Sequence, residues 1–354
     1  MLPPSWNKDT DVHEVRALLA RNIGRELDPH GADEVDPHVQ TRDEEELDPH
    51  GADIVNLRRR FGGELDPYGA DEVDYRIRAR DGVPIGVRVH RSLAHGGNGG
   101  RPGMLMLHGG GYSVGDVNAG ARLSRVFADL GGVAVNVDFR LAPEHPFPGP
   151  VEDAYDALTW VSENIESLGI DPEKGFIVAG ESSGANMAFA VTYLWITTRK
   201  DAALQITGIY SSANSGVTAE TVPEKYKPFF VSMEQNVDAP VMDTAAMERI
   251  KELYKPDPMS PLAYPIGIPD PSIMPPTYFQ ACGLDPTRDS TLVMEQVWKD
   301  AGVPTKLDIY PGMPHLFWAL GLPALKQTKR HEVDTEDGFS WLLSGGYINR
   351  TRSG

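Results

Sequence analysis

A single cysteine, Cys282, stands in the 354 residues, so no intramolecular disulfide can form and a disulfide-stapled scaffold is excluded. It lies in an apolar strand-like stretch, Tyr278-Phe279-Gln280-Ala281-Cys282, which argues for a buried thiol rather than an exposed, activated nucleophile. Long apolar runs are also missing: nothing reaches the roughly 18 residues that a membrane-spanning helix needs. The first ten residues, Met-Leu-Pro-Pro-Ser-Trp-Asn-Lys-Asp-Thr, hold no apolar core of signal-peptide length. A cytoplasmic protein without a membrane span is the expectation. Basic residues are the third shortage. Lys and Arg number 33 against 51 Asp and Glu, a formal charge of −18, so no basic stripe is available for phosphates and nucleic acid is excluded as a partner.

That acidity is local. Residues 26–74 hold 16 Asp and Glu against 4 Arg, a balance of −12, which leaves the rest of the chain mildly acidic. The same segment carries a repeat: Glu26-Leu27-Asp28-Pro29-His30-Gly31-Ala32-Asp33, the same eight letters at 46–53, and Glu64-Leu65-Asp66-Pro67-Tyr68-Gly69-Ala70-Asp71. Asp-Pro followed by Gly is turn chemistry, and the units hold too few apolar residues to stack as a solenoid. Either the repeats form a solvated acidic insertion or their carboxylates, with His30 and His50, take a metal or partner; no copy has a calcium-loop spacing. Ahead of them, residues 11–21 have the apolar spacing of one amphipathic helix.

From Val73 onward strands and helices alternate. Residues 73–79 and 85–90 read as strands joined at Asp81-Gly82, a hairpin signal. Strands then follow at 103–107, 133–139, 175–179, 206–211, 277–282 and 306–310, with helices near 118–130, 151–168, 184–198, 289–301 and 333–344. Alternation on this scale predicts an α/β fold, a mostly parallel eight-stranded sheet with helices on both faces. Residues 214–262 break the rhythm with Pro223, Pro228, Pro240, Pro256 and Pro258 among aromatics and methionines, as either a plain helical excursion or a lid. The domain reading is residues 1–74 as N-terminal helix plus acidic insertion, 75–213 and 263–354 as the core, and 214–262 as the cap or lid.

Ligand sites in such sheets lie at the carboxyl ends of the strands. Gly180-Glu181-Ser182-Ser183-Gly184 stands where a strand turns into a helix, the form of a nucleophile elbow. A serine hydroxyl needs a base, and the base an orienting acid. Asp285 follows the seventh strand and His315 the eighth, in the chain order serine, acid, histidine. His315 is therefore assigned as general base and then acid, and Asp285 as the carboxylate that fixes its tautomer. His331 and Asp289 are the weaker competitors, the latter as a helix N-cap. Upstream, His108-Gly109-Gly110-Gly111-Tyr112 ends another apolar strand. The backbone N–H groups of Gly109, Gly110 and Ser183 are the candidate oxyanion donors. A phosphate-binding reading of that loop lacks the following Gly-Lys-Ser or Gly-Lys-Thr.

HGGGY at 108–112, the run from Asp138 to Gly149, GESSG at 180–184, Ser260-Pro261-Leu262, GLDPTRD at 283–289 and the late Gly-Met-Pro-His together resemble the hormone-sensitive-lipase-like branch of α/β-hydrolase esterases. The resemblance spans about residues 75 to 345. It implies carboxylesterase activity, a helical cap formed partly by N-terminal helices, and loops braced by Arg140 and Glu144; small to medium apolar esters are the expected substrates, with no cofactor or metal. Dehydratase, cyclase and receptor members keep other functions open. Glu181 and Ser183 stand where relatives commonly have Asp and Ala, and the acidic repeat has no counterpart. A small-molecule ester is the expected partner, with a homodimer left open.

Overall fold

The computed structural model describes residues 70–95, 100–320 and 326–346. The N-terminal helix, the first two acidic repeats and nearly all of the third lie outside the described residues.

Eight strands form one sheet: β1 (Ala70–Arg78), β2 (Pro84–Ser92), β3 (Gly103–Leu107), β4 (Val133–Asp138), β5 (Phe176–Glu181), β6 (Gly208–Ser212), β7 (Thr277–Leu284) and β8 (Thr305–Pro314). Their spatial order is β1-β2-β4-β3-β5-β6-β7-β8. β1 and β2 pair antiparallel across the Asp81-Gly82 turn, where Asp81 Oδ1 accepts from the Val83 N–H at 3.1 Å. β2 runs antiparallel to β4, and all later neighbours are parallel. The helices are α1 (Ala121–Asp129), α2 (Gly149–Glu163), α3 (Ile165–Leu168), α4 (Ser183–Thr198), α5 (Ser232–Gln235), α6 (Thr244–Tyr254), α7 (Arg288–Asp300) and α8 (Lys326–Leu343). Among these helices none is long and apolar enough to cross a membrane.

Strand periodicity divides the interior into two layers. Met104, Met106, Ala134, Ile177 and Ala179 point to one face and pack on Leu123 and Phe127 of α1 and Phe339 and Leu342 of α8. Their neighbours Leu105, Leu107, Val133, Val135 and Val178 point to the other, against α2, α4 and α7. A strand buried on both faces must read as a continuous apolar run, which is why 103–107 and 133–135 show no polar alternation.

Two of the differences from the sequence expectation concern helices and have a local cause. The helix expected over 151–168 is broken at Asn164, whose side-chain amide donates to the Trp160 carbonyl at 2.8 Å. The last helix starts at Lys326 rather than near 333. Its first turns are mostly polar but bury Thr328 and His331, an anchor too sparse to register as a period.

The excursion over 214–262 contains a 3₁₀ turn (Glu224–Phe229), α5 and α6. Asp289 fastens it to the body, its Oδ2 accepting from the N–H groups of Val231 and Ser232, both at 2.7 Å. Asp289 thus serves the start of α5 and not its own helix, whose N-cap is Thr287. A second tie joins the Asn236 side-chain amide to the Asp285 carbonyl at 3.1 Å, and a third the Phe147 N–H to the Tyr254 carbonyl at 2.8 Å. These ties hold the excursion against the loops that follow β4 and β7.

Candidate active site

Ser182 closes β5 and precedes α4 with φ 54° and ψ −120°, a conformation a non-glycine residue adopts only under constraint. The constraint is crowding. A Cβ on Gly180 would lie 2.1 Å from the Gly184 carbonyl oxygen, and one on Gly184 would lie 2.0 Å from the Leu107 oxygen. Both flanking positions therefore admit only glycine, and α4 packs directly on the end of β3. A serine at a helix N-cap ordinarily turns its hydroxyl onto the helix's own N–H groups. Here no such bond forms, and Oγ instead meets His315 Nε2 at 2.9 Å.

His315 lies just past β8 and Asp285 just past β7, as their positions in the chain require. The other ring nitrogen of His315, Nδ1, stands 2.7 Å from Asp285 Oδ2. A carboxylate only accepts, so Nδ1 carries the proton and Nε2 is left to accept from the serine hydroxyl. Asp285 is itself fixed, because its Oδ1 accepts from the Thr287 N–H at 2.8 Å. Ser182 is 6%, His315 2% and Asp285 0% exposed, so the chain of bonds runs in a largely water-excluded setting.

The histidine-glycine loop lies against the elbow. A Cβ on Gly109 would sit 3.3 Å from Ser182 Cβ. Gly110 has φ +126°, open to glycine alone, and Gly111 abuts Ile250, which seats α6 on the loop. The His108 ring, stacked on Phe139 at 4.2 Å, donates from Nδ1 to the Gly109 carbonyl at 2.6 Å, orienting that peptide. Burial pushes the His108 pKa down, so the ring is held neutral. Among the described residues the N–H groups of Gly109, Gly110 and Ser183 find no acceptor. Donors left open beside a serine, at the positive end of a 16-residue helix, suit a developing negative charge.

The competitors fall elsewhere. His331 is fully buried on α8, stacked on Trp318 at 4.0 Å, with Nε2 3.1 Å from Gln280 Oε1. Arg140 braces as the resemblance implied, gripping the buried Asp153 through Nη2 at 2.6 Å and Nε at 2.8 Å. Glu144 does not: it is exposed and forms no hydrogen bond or ion pair among the described residues. The brace is Arg140 with Asp153, because Asp153 projects inward from α2 while Glu144 lies on an outward turn. Glu181 turns away from the serine and accepts from Trp318 Nε1 at 2.8 Å; burial raises its pKa.

A cavity of about 200 Å³ lies one turn of α4 from the elbow, at Asn186, lined by Tyr112, Asn186, Met233, Met247, Ile250 and Tyr254 among others; Ser182 and His315 stand outside its lining. The methionines and aromatics of 214–262 thus face a pocket as well as the core. Sequence reading missed Asn186 and Tyr254. The first had a signal, since it lies four residues past Ser182, on the same face of α4 one turn on. Tyr254 had none, because the contact depends on how residues 214–262 fold back.

A family model described as alpha/beta hydrolase fold matches residues 104–319. Versiconal hemiacetal acetate esterase of Dothistroma septosporum is 37% identical over 242 residues, 67% of this chain and 72% of its own length. Among solved structures, vibralactone cyclase superimposes with a TM-score of 0.75 at 31% identity, covering 80% of this chain and 83% of its own. A hyperthermophilic esterase from the archaeon Pyrobaculum calidifontis gives 0.66 at 29%, covering 77% and 85%. By its motifs, its sheet and these matches, the chain belongs to the hormone-sensitive-lipase-like branch of the α/β-hydrolase family.

Proposed function

We propose that the protein is a serine carboxylesterase acting through an acyl-enzyme, with Ser182, His315 and Asp285 as its catalytic triad. The observation that carries this reading is the hydrogen-bonded chain Ser182–His315–Asp285, at 2.9 and 2.7 Å, on a strained elbow. Ser182 Oγ attacks the ester carbonyl while Nε2 of His315 takes its proton, and Asp285 stabilises the imidazolium. The carbonyl oxygen becomes an oxyanion facing the N–H groups of Gly109, Gly110 and Ser183. His315 returns the proton to the departing alcohol, then activates water to release the acid. The methionines and aromatics that line the cavity are in keeping with small to medium apolar esters. On this reading residues 214–262 form the cap that selects substrate.

Mixing with p-nitrophenyl acetate is expected to release p-nitrophenol in a burst followed by steady turnover. Ser182→Ala is expected to abolish hydrolysis, by up to about 10⁶-fold in kcat if the three residues act as a unit. Turnover retained by that variant rejects the assignment.

One observation favours a second reading: the likeness to vibralactone cyclase. A hydroxyl within the acyl chain could replace water as the attacking group and leave as a lactone. Hydroxyacyl esters separate the two, since a hydrolase releases hydroxy acid and a cyclase the ring.

A further inference from the structure

One atom in the cavity wall does not fit its surroundings. Tyr254, the last residue of α6, lines the cavity and is 2% exposed, yet its hydroxyl is buried with no hydrogen-bond partner among the described residues. The ring is not free to turn the hydroxyl elsewhere. It lies flat on Tyr112 with centroids 3.5 Å apart and planes 2° from parallel, and Phe147 packs edge-on at 5.7 Å. Its backbone is held by the bond from the Phe147 N–H. The neighbouring hydroxyls of Tyr112 and Tyr264 form no hydrogen bond with it, and Asn186, also in the cavity wall, is engaged elsewhere, donating to the Tyr112 hydroxyl at 3.1 Å and to Ser215 Oγ at 3.2 Å while its Oδ1 accepts from the Ser215 N–H at 3.1 Å.

Burial raises the pKa of Tyr254 well above that of a free phenol, so the group is neutral and holds a proton to donate. A buried donor without an acceptor is costly to the folded protein, and an occupant that brings an oxygen removes the cost. Carbon occupants leave it in place.

We infer that the cavity is built for an ester one branch of which carries an oxygen acceptor (ether, keto or hydroxyl) that takes a hydrogen bond from the Tyr254 hydroxyl. Tyr254 is on this view a specificity-determining residue, and the inference rests on the ester hydrolysis proposed above. A purely alkyl branch of equal length fills the same space but leaves the donor unpaired, and a site with a buried polar group discriminates against the partner that cannot satisfy it.

The experiment uses the full chain and pairs of p-nitrophenyl esters matched in length, one plain alkyl and one with a single ether or keto oxygen moved stepwise along the acyl chain. A second series places the oxygen in the alcohol branch. At one position kcat/KM is expected to favour the oxygenated member by roughly tenfold, and Tyr254→Phe, which keeps the ring stack, is expected to bring that ratio near one. A wild-type preference for the plain ester at every position in both series overturns the inference, as a resident water satisfying the phenol would produce. So does a Tyr254→Phe variant that lowers both members of the pair alike. Should the variant not fold, the wild-type panel still decides. Should no ester be turned over, the proposed function fails by itself. Calorimetry with matched non-hydrolysable ketones on the Ser182→Ala chain then reads the same ratio and tests the cavity separately.

Discussion

Asp285→Asn separates the orienting role of this carboxylate from its bulk, and its outcome can be worked from two bonds. Asp285 Oδ1 accepts from the Thr287 N–H and Oδ2 from His315 Nδ1. An asparagine there has one acceptor and one donor end. If the amide oxygen stays on the Thr287 N–H, the NH₂ faces Nδ1, which must then shed its proton, so the ring carries its proton on Nε2 and points it at Ser182. The base is lost. If the amide flips, the tautomer is preserved but the NH₂ opposes the Thr287 N–H, leaving a buried donor unpaired at a cost of about 1–3 kcal/mol. At about 1.4 kcal/mol per tenfold, that holds the productive orientation to between roughly 1% and 15% of the population.

Loss of the negative charge beneath the imidazolium comes on top of this orientation penalty. The sum is expected to approach the ~10⁴-fold fall in kcat seen for the same change in a serine protease. The assay is single-turnover p-nitrophenyl ester cleavage, with the thermal transition recorded alongside to show that the fold is kept. A variant within tenfold of the wild type refutes the orientation argument, because neither amide arrangement then does what the two bonds require.

Two further outcomes follow from the fold. Gly184→Ala is expected to destabilise by more than about 3 kcal/mol or to prevent folding, because the new methyl meets the Leu107 and His108 carbonyls at 2.0 and 2.5 Å; denaturant melts read this, and a soluble variant of unchanged midpoint contradicts it. Glu72 is held at a pKa of about 2, first by its bond to His90 and then by Arg125, against a usual 4.5. The depressed value means that its contribution is present above about pH 4.5 and is lost as pH falls toward 2, so Glu72→Gln is expected to lower the melting temperature at pH 7 and to converge on the wild type near pH 2. A gap that stays constant with pH is the contrary result.

The eight strands were legible because this sheet buries both faces, which forces the runs 103–107, 133–135 and 176–179 to be apolar throughout. The site residues were legible because α/β connectivity puts the end of every parallel strand on one edge, so a serine, an acid and a histidine in the right order fall together without any knowledge of packing. What escaped notice was decided across elements. His331 looks like a surface residue between Arg330 and Glu332, yet it is stacked on Trp318 from the preceding 3₁₀ turn. Asp153 is one of several acids in α2, and only the turn at Arg140 makes it the inward one. Tyr254 reads as the end of an amphipathic helix, and its importance comes from Tyr112, 142 positions earlier, lying parallel beneath it. The divide follows from range. The candidate triad stands in short motifs pinned to strand ends, whereas the cavity wall depends on how residues 214–262, of weak local pattern, pack against them, and there the sequence offers composition without position.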